Sequence, residues 1–93
     1  MSARVEAITS ALEAALAPHS LEVIDESHKH VGHEGARDGR GHFAVKVVSA
    51  AFAGMSPLSR HRRIYEALGG LMQTDIHAFS IVLAKTPDEA DSA

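Results

Sequence analysis

The stretch His42-Phe43-Ala44-Val45-Lys46-Val47-Val48-Ser49 decides the fold, because it is the clearest β-strand in the chain. Phe43, Val45 and Val47 alternate with less apolar neighbours, which is the two-residue period of a strand with one buried face. An earlier strand is predicted over residues 21–25. Two strands joined by one loop predict an antiparallel hairpin. Its polar, glycine-rich loop, residues 26–41, is long enough to suggest a functional segment.

Two amphipathic helices flank this hairpin in the sequence. Residues 3–17 place apolar side chains at spacings of three and four, and a proline follows the end of that run. Ser56-Pro57 predicts the start of a second helix, since serine caps the first turn and proline is tolerated at the first helical position. This helix is predicted over residues 57–73, and Gly69-Gly70 weakens its middle enough to favour a kink or break.

A third strand is predicted over residues 76–84. It carries apolar residues on both faces, which favours a central position in the sheet over an edge position. The order of elements predicts an α+β fold, a single small α-β-β-α-β domain with a three-stranded sheet and helices on one face. We expect this domain to span residues 1–85. Residues 86–93 carry acids and no base, and we expect them to form an acidic disordered tail.

The composition excludes several classes of protein. The 93 residues include no cysteine, which excludes disulfides, thiolate zinc sites and a self-contained cysteine-ligated cluster. No apolar run is long enough to cross a membrane and no basic-then-apolar leader opens the chain, so we expect a cytoplasmic protein without a membrane partner. No nucleophile, base and acid arrangement, phosphate-cradling glycine loop or close carboxylate pair stands out, so we do not expect an enzyme.

Histidines are the candidate metal ligands. His28, His30 and His33 lie close together in the long loop, and His77 opens the third strand. Imidazole is the commonest neutral metal ligand, although solvated loop histidines are the ordinary interpretation of such a group. A mononuclear zinc centre would need a third or fourth ligand, which His77 supplies only if the loop folds over the start of the third strand.

A cationic run, Arg60-His61-Arg62-Arg63, lies on the second predicted helix. A solvated helix face is the ordinary interpretation of a charge run. The functional interpretation is an anion-binding surface, because guanidinium forks match phosphate or carboxylate groups. Without the acidic tail the chain has nine acids and nine bases. This balance does not suggest strong non-specific DNA binding, which depends on neutralising phosphates.

The chain resembles the BolA family from Leu21 to about Lys85, with a matching helix before that range. The motifs that carry the resemblance are Leu21-Glu22-Val23-Ile24-Asp25-Glu26-Ser27 followed by His30-x-Gly32-His33, His42-Phe43-x-Val45 with Val48-Ser49, Phe52-x-Gly54-x-Ser56, Arg60-His61-Arg62-x-Ile64-Tyr65, and Ile76-His77-Ala78. The resemblance implies a type II KH-like domain, in agreement with the predicted order of elements. The chain departs from the family at Gly41, where serine or threonine is common.

The resemblance also implies a cofactor and a partner. BolA-like proteins pair with monothiol glutaredoxins, and the pair holds a [2Fe-2S] cluster in iron–sulfur trafficking and iron homeostasis. On this resemblance His77 is one ligand, and the second is a loop histidine, best matched by His30 with His33 as the alternative. A chain without cysteine can supply half of such a cluster, since histidines replace two cysteines on one iron in Rieske centres. The other iron would take thiolates from the glutaredoxin and glutathione.

DNA is the alternative partner. Some bacterial members of the family are described as DNA-binding transcriptional regulators linked to cell morphology and stress, and the basic helix around Arg60–Arg63 would be the contact surface. The Gly-x-x-Gly loop that clamps nucleic-acid backbone in KH domains is not evident between the predicted helices. We expect the free protein to be a monomer or a weak homodimer.

Overall fold

Three strands form one mixed sheet in the computed structural model, which describes residues 3–27 and 41–91. The strands are β1 (Ser20–Asp25), β2 (Gly41–Val48) and β3 (Ile76–Lys85), and they lie in the order β1-β2-β3. β1 and β2 pair antiparallel, which confirms the predicted hairpin. β2 and β3 pair parallel. The central position predicted for the third strand is therefore wrong, because β2 is central and β3 lies at an edge.

The helices follow the predicted order of elements. They are α1 (Ala3–Leu16), α2 (Pro57–Leu68), α3 (Leu71–Thr74) and α4 (Pro87–Asp91), with a 3-10 turn over Ala50–Phe52. Ser56 caps α2 as predicted, since its hydroxyl oxygen accepts a hydrogen bond from the Ser59 amide at 3.2 Å. Gly69 ends this helix with φ at 53°, a left-handed value that glycine adopts readily. The break predicted at Gly69-Gly70 is confirmed, and with it the α+β fold.

The core lies between α1, α2 and the face of the sheet that they cover. Its buried side chains are Ile8, Leu12, Leu16, Phe43, Val45, Val47, Phe52, Ile64, Leu68 and Ile76. One buried hydroxyl joins the layers. Ser49 Oγ donates to the Leu16 carbonyl at 2.7 Å and accepts from the Ala51 amide at 3.1 Å. The end of α1 is thus held against the connection that leaves β2.

Two bulges in β3 explain why its sequence suggested a central strand. The register with β2 shifts twice, and each shift leaves one extra residue on β3, namely His77 and Val82. Each extra residue moves the inward-facing positions by one. The β3 residues that pack on the core are Ile76, Phe79, Ile81 and Ala84. The apolar residues that seemed to lie on both faces therefore follow an alternation that each bulge shifts by one residue. The strand is buried mainly on one face.

The end of the chain differs from the disordered tail expected over residues 86–93, because residues 87–91 form α4. Thr86 and Glu89 make a reciprocal capping box. The Glu89 amide donates to Thr86 Oγ1 at 3.2 Å, and the Thr86 amide donates to Glu89 Oε1 at 2.9 Å. An ion pair from Glu89 to Arg60 then fixes this short helix to α2. Within the described ranges no helix combines the length and apolar content of a membrane span.

Candidate functional site

His77 and His42 lie side by side at the start of two neighbouring strands. Their ring centroids are 5.2 Å apart and the ring planes are inclined by 51°. His42 is buried, with 9% of its surface exposed, whereas His77 is exposed to solvent. His77 is also the extra residue of the first bulge in β3. Bulges commonly redirect a side chain at functional sites, and this one presents an imidazole at the edge of the sheet.

A separation of 5.2 Å between ring centroids is an ordinary contact distance for two aromatic rings, and two imidazoles that share a metal ion have a similar separation. With tetrahedral geometry and metal–nitrogen bonds of about 2.0–2.1 Å, two imidazoles on one zinc-like ion have centroids about 5 Å apart. In the part of the chain that the structure describes, no group of three or more His, Asp or Glu side chains could hold a metal ion. The described residues therefore fit part of a coordination shell that other groups must complete.

A cavity of about 230 Å³ adjoins His42. Its lining residues are Glu26, His42, Phe43, Ala78 and Ser80. It lies between Glu26, which follows β1, and residues near the start of β2 and β3, and His77 is not part of its lining. Glu26 is the acidic residue of this lining.

Hydrogen bonds hold the described residues on either side of positions 28–40 close to His42. Ser27 Oγ accepts from the His42 amide at 3.0 Å, and the Glu26 amide donates to the His42 carbonyl at 2.8 Å. On the other side, the Gly41 amide donates to the Asp75 carbonyl at 2.9 Å. The candidate ligands His30 and His33 lie outside the described residues. The attachment points of their segment are at the same end of the sheet as His77.

Gly41 has a packing role that accounts for its departure from the family pattern. A Cβ atom at this position would lie 2.5 Å from Cε2 of Phe43 and 2.7 Å from Oγ of Ser27. Both distances are far below van der Waals contact. The Phe43 ring and the Ser27 hydroxyl thus occupy the space that a serine or threonine side chain would need, and they hold the first residues of β2 in place.

The cationic run on α2 does not form one exposed surface. Arg60 Nε donates to the Met55 carbonyl at 3.0 Å, and Nη1 donates to the Ala84 carbonyl at 3.0 Å. Its Nη1 and Nη2 bind the Glu89 carboxylate at 2.5 and 3.0 Å. The hydrogen bond to Glu89 raises the pKa of Arg60 above its ordinary value. The same hydrogen bond, aided by the Thr86 amide, lowers the pKa of Glu89 to about 2.

Of the other residues in the run, Arg63 also has a structural contact. Its Nη2 donates to the Ala15 carbonyl at 3.0 Å and ties α2 to α1. His61 and Arg62 are exposed. Two of the four candidate anion-binding residues, His61 and Arg62, are therefore exposed to solvent. The guanidinium groups of Arg60 and Arg63 make internal hydrogen bonds instead.

Two features of these sites were missing from the sequence-based prediction. His42 was assigned only to a strand, because its proximity to His77 depends on the parallel pairing of β2 with β3 and on the bulge. The Arg60–Glu89 pair was missed because the tail was expected to be disordered. A signal for α4 was nevertheless present, since Thr86-Pro87-Asp88-Glu89 has the spacing of a capping box with proline at the first helical position.

Comparison with known proteins gives a consistent picture. A family model described as BolA-like protein matches residues 12–89. Mouse BolA-like protein 1 is 47% identical over 81 residues, which cover 87% of this chain and 56% of the mouse protein. SufE-like protein 1, chloroplastic/mitochondrial, of Arabidopsis thaliana is 46% identical over 87 residues, which cover 88% of this chain and 23% of that protein. The chain thus spans about half of the mouse relative and about a quarter of the plant one.

A solved structure extends the likeness to three dimensions. The BolA domain of SufE1 from Arabidopsis thaliana superposes with a TM-score of 0.82 and 42% sequence identity. The superposition covers 96% of this chain and 98% of that one.

Proposed function

The chain belongs to the BolA-like family, and we propose that it is a non-enzymatic partner of a monothiol glutaredoxin with which it shares a bridging [2Fe-2S] cluster. Its role would be iron–sulfur trafficking and iron homeostasis in the cytoplasm. The observation that carries the proposal is the exposed imidazole of His77, which a bulge presents beside His42 in a chain without cysteine.

The donor set fits a shared cluster better than a resident one. Histidines can replace cysteines on one iron of a [2Fe-2S] cluster, as they do in Rieske centres. A chain with imidazoles and no thiol can therefore ligate one iron and leave the other to thiolates of the glutaredoxin and glutathione. Metal-binding histidines must be neutral, so protonation competes with the metal. This competition suits a protein that has to release what it carries.

The second ligand from this chain has three candidates. His30 and His33 are the candidates from the family resemblance. His42 joins them because its ring already lies at ligand spacing from His77. If His42 is not a ligand, its buried ring still supports His77 from one side.

The proposal is tested by reconstitution. The chain is mixed anaerobically with a monothiol glutaredoxin, glutathione, iron and sulfide, and visible absorption and circular dichroism are recorded. His77→Ala should alter or abolish the spectrum of the mixed complex, whereas His61→Ala, which removes an exposed histidine on α2, should leave it unchanged. An unaltered spectrum for the His77 variant would contradict the ligand assignment. Single alanine variants at 30, 33 and 42 then identify the second ligand.

DNA binding through α2 has weaker support. Arg60 and Arg63 are held by internal hydrogen bonds, which leaves His61 and Arg62 as the exposed members of the run. Each phosphate contact contributes about one unit to the slope of log affinity against log salt. DNA binding by this surface would therefore show a small salt slope, and Arg62→Gln should reduce that slope further than Arg63→Gln does.

A further inference from the structure

A second cleft lies at the end of β3 that is farthest from His77. It is an open surface cleft of about 490 Å³, lined by Arg60, Ala84, Lys85, Asp88 and Glu89. The eight residue-to-residue steps from His77 to Lys85 span roughly 26 Å at about 3.3 Å per step. This cleft is therefore separate from the proposed cluster site. Its lining combines the cationic side chains of Arg60 and Lys85 with the acidic side chains of α4.

The Arg60 guanidinium is positioned by contacts that do not involve Glu89. The Met55 and Ala84 carbonyls accept from Nε and Nη1, both at 3.0 Å. The guanidinium carbon also lies 5.8 Å from the centroid of the Phe52 ring, which is fully buried. The side chain of Arg60 is only 11% exposed. The edge formed by Nη1 and Nη2 is consequently a preorganised two-pronged donor for a planar carboxylate.

The Glu89 carboxylate, which accepts from Nη1 and Nη2 of Arg60, is held much less firmly than the guanidinium group. The Glu89 side chain is 45% exposed, and α4 has no buried residue among its five. The Glu89 carboxylate binds Arg60, and the capping box with Thr86 lies within the same segment. An occupant with so little buried surface can exchange with an external group of the same chemistry.

We propose that this cleft is a docking site for an acidic peptide segment of a partner protein, and that residues 86–91 occupy it in cis as an internal competitor. The cis segment itself shows what fits: a glutamate whose carboxylate bridges Arg60 and the backbone at the start of a short helix. Lys85, which lines the cleft, adds a second positive charge for such a segment.

Competition in cis lowers the apparent affinity for any partner. A tethered group has an effective concentration set by its linker, and here the linker is the few residues between β3 and Glu89. The apparent dissociation constant is the intrinsic one divided by the fraction of molecules with an open cleft. Removing the charge of Glu89 should raise that fraction while leaving the Arg60 donors in place.

The test uses the full chain and a fluorescently labelled peptide of sequence TPDEADSA, which reproduces residues 86–93. Fluorescence anisotropy should show that Glu89→Gln binds the peptide about tenfold more tightly than the unaltered chain, because a charge-assisted hydrogen-bonded competitor has been removed. Glu66→Gln is the matched control, since it removes an exposed glutamate from α2 and should leave the affinity unchanged.

Further measurements distinguish an acidic peptide from other groups that could occupy the cleft. A peptide with glutamine in place of its glutamate should bind Glu89→Gln far more weakly, and inorganic phosphate should displace the acidic peptide poorly. Equal affinity of Glu89→Gln and the unaltered chain, or equal binding of the two peptides, would overturn the proposal. Efficient displacement by phosphate would make the cleft a general anion site instead. Concentration-dependent dimerisation of Glu89→Gln in sedimentation would assign the cleft to a second copy of the chain, which also overturns it.

Discussion

The imidazole of His77 lies 5.2 Å from that of His42, measured between ring centroids, although the two residues belong to different strands. Parallel pairing brings the first residues of β2 and β3 together, and the bulge turns His77 toward solvent while His42 stays buried. The two rings therefore differ in exposure: His42 packs in the interior, whereas His77 is open to solvent.

This difference predicts unequal effects on stability. His42→Ala removes a buried ring and should lower the free energy of unfolding by about 1–3 kcal/mol, whereas His77→Ala should change it by no more than about 0.5 kcal/mol. Urea denaturation followed by far-ultraviolet circular dichroism measures both values. A His77→Ala variant as destabilised as His42→Ala would show that His77 is part of the packing. A change in the cluster spectrum of that variant would then not identify His77 as a ligand.

Gly41 provides a second prediction. Gly41→Ala places a Cβ atom 2.5 Å from the Phe43 ring, so the ring must move, and we expect a loss of about 1–3 kcal/mol in the free energy of unfolding. Gly70→Ala is the matched control, because nothing lies within 4 Å of its added Cβ and its φ is −64°. That variant should be neutral or more stable by up to about 1 kcal/mol. Similar losses at both positions would contradict the steric explanation.

Ser49 provides a third prediction, which concerns the buried link between α1 and the end of β2. Ser49→Ala leaves the Leu16 carbonyl and the Ala51 amide without this hydroxyl, and an unsatisfied buried polar group costs about 1–3 kcal/mol. Ser10→Ala, at an exposed position of α1, should cost nothing measurable. Thermal or urea unfolding of the two variants compares them directly, and equal stabilities would count against a structural role for the hydroxyl.

The Arg60–Glu89 pair predicts a pH dependence at the acidic end of the scale. The pKa of Glu89 is lowered from 4.5 to about 2 by the hydrogen bond from Arg60. The stabilising contribution of this carboxylate is therefore complete above about pH 4.5 and is lost as the pH falls toward 2. Carbon-13 NMR of the Glu89 carboxyl group should show a midpoint near 2, and α4 should loosen over the same range.

The control for this titration is the Arg60→Gln variant. Without the guanidinium, the largest cause of the shift is gone, and the Glu89 midpoint should return toward 4.5. If the unaltered chain already titrates near 4.5, the ion pair is not formed in solution. Such a result would also remove the cis competitor from the cleft.

Local rules predicted most of the fold from the sequence. Ser56-Pro57 marked the start of α2, and Gly69-Gly70 marked a kink or break within the helix predicted over residues 57–73, because capping and backbone conformation act over a few residues. Pairing between distant segments was harder to predict. The phase of apolar residues in β3 was interpreted as burial on both faces, but it reflects the bulges at His77 and Val82.

In the candidate site, too, local patterns could be predicted from the sequence, whereas contacts between distant segments could not. His77 could be named from the motif that the chain shares with the family, because a motif is a local pattern. His42 also belongs to a shared motif, but its contact with His77 could not be predicted, since that contact depends on the register between two strands far apart in sequence. The Arg60–Glu89 contact likewise joins α2 to α4 across the end of β3, and charge counting alone predicted a free basic surface.

Pulsed electron paramagnetic resonance of the reduced cluster tests the central claim most directly. The chain is labelled with nitrogen-15 histidine and reconstituted with an unlabelled monothiol glutaredoxin, glutathione, iron and sulfide. The account predicts nitrogen-15 couplings from this chain's histidines in the mixed complex, and the loss of the His77 contribution in His77→Ala. A cluster that shows no histidine nitrogen coupling from this chain, or the same couplings in the His77 variant, would contradict it.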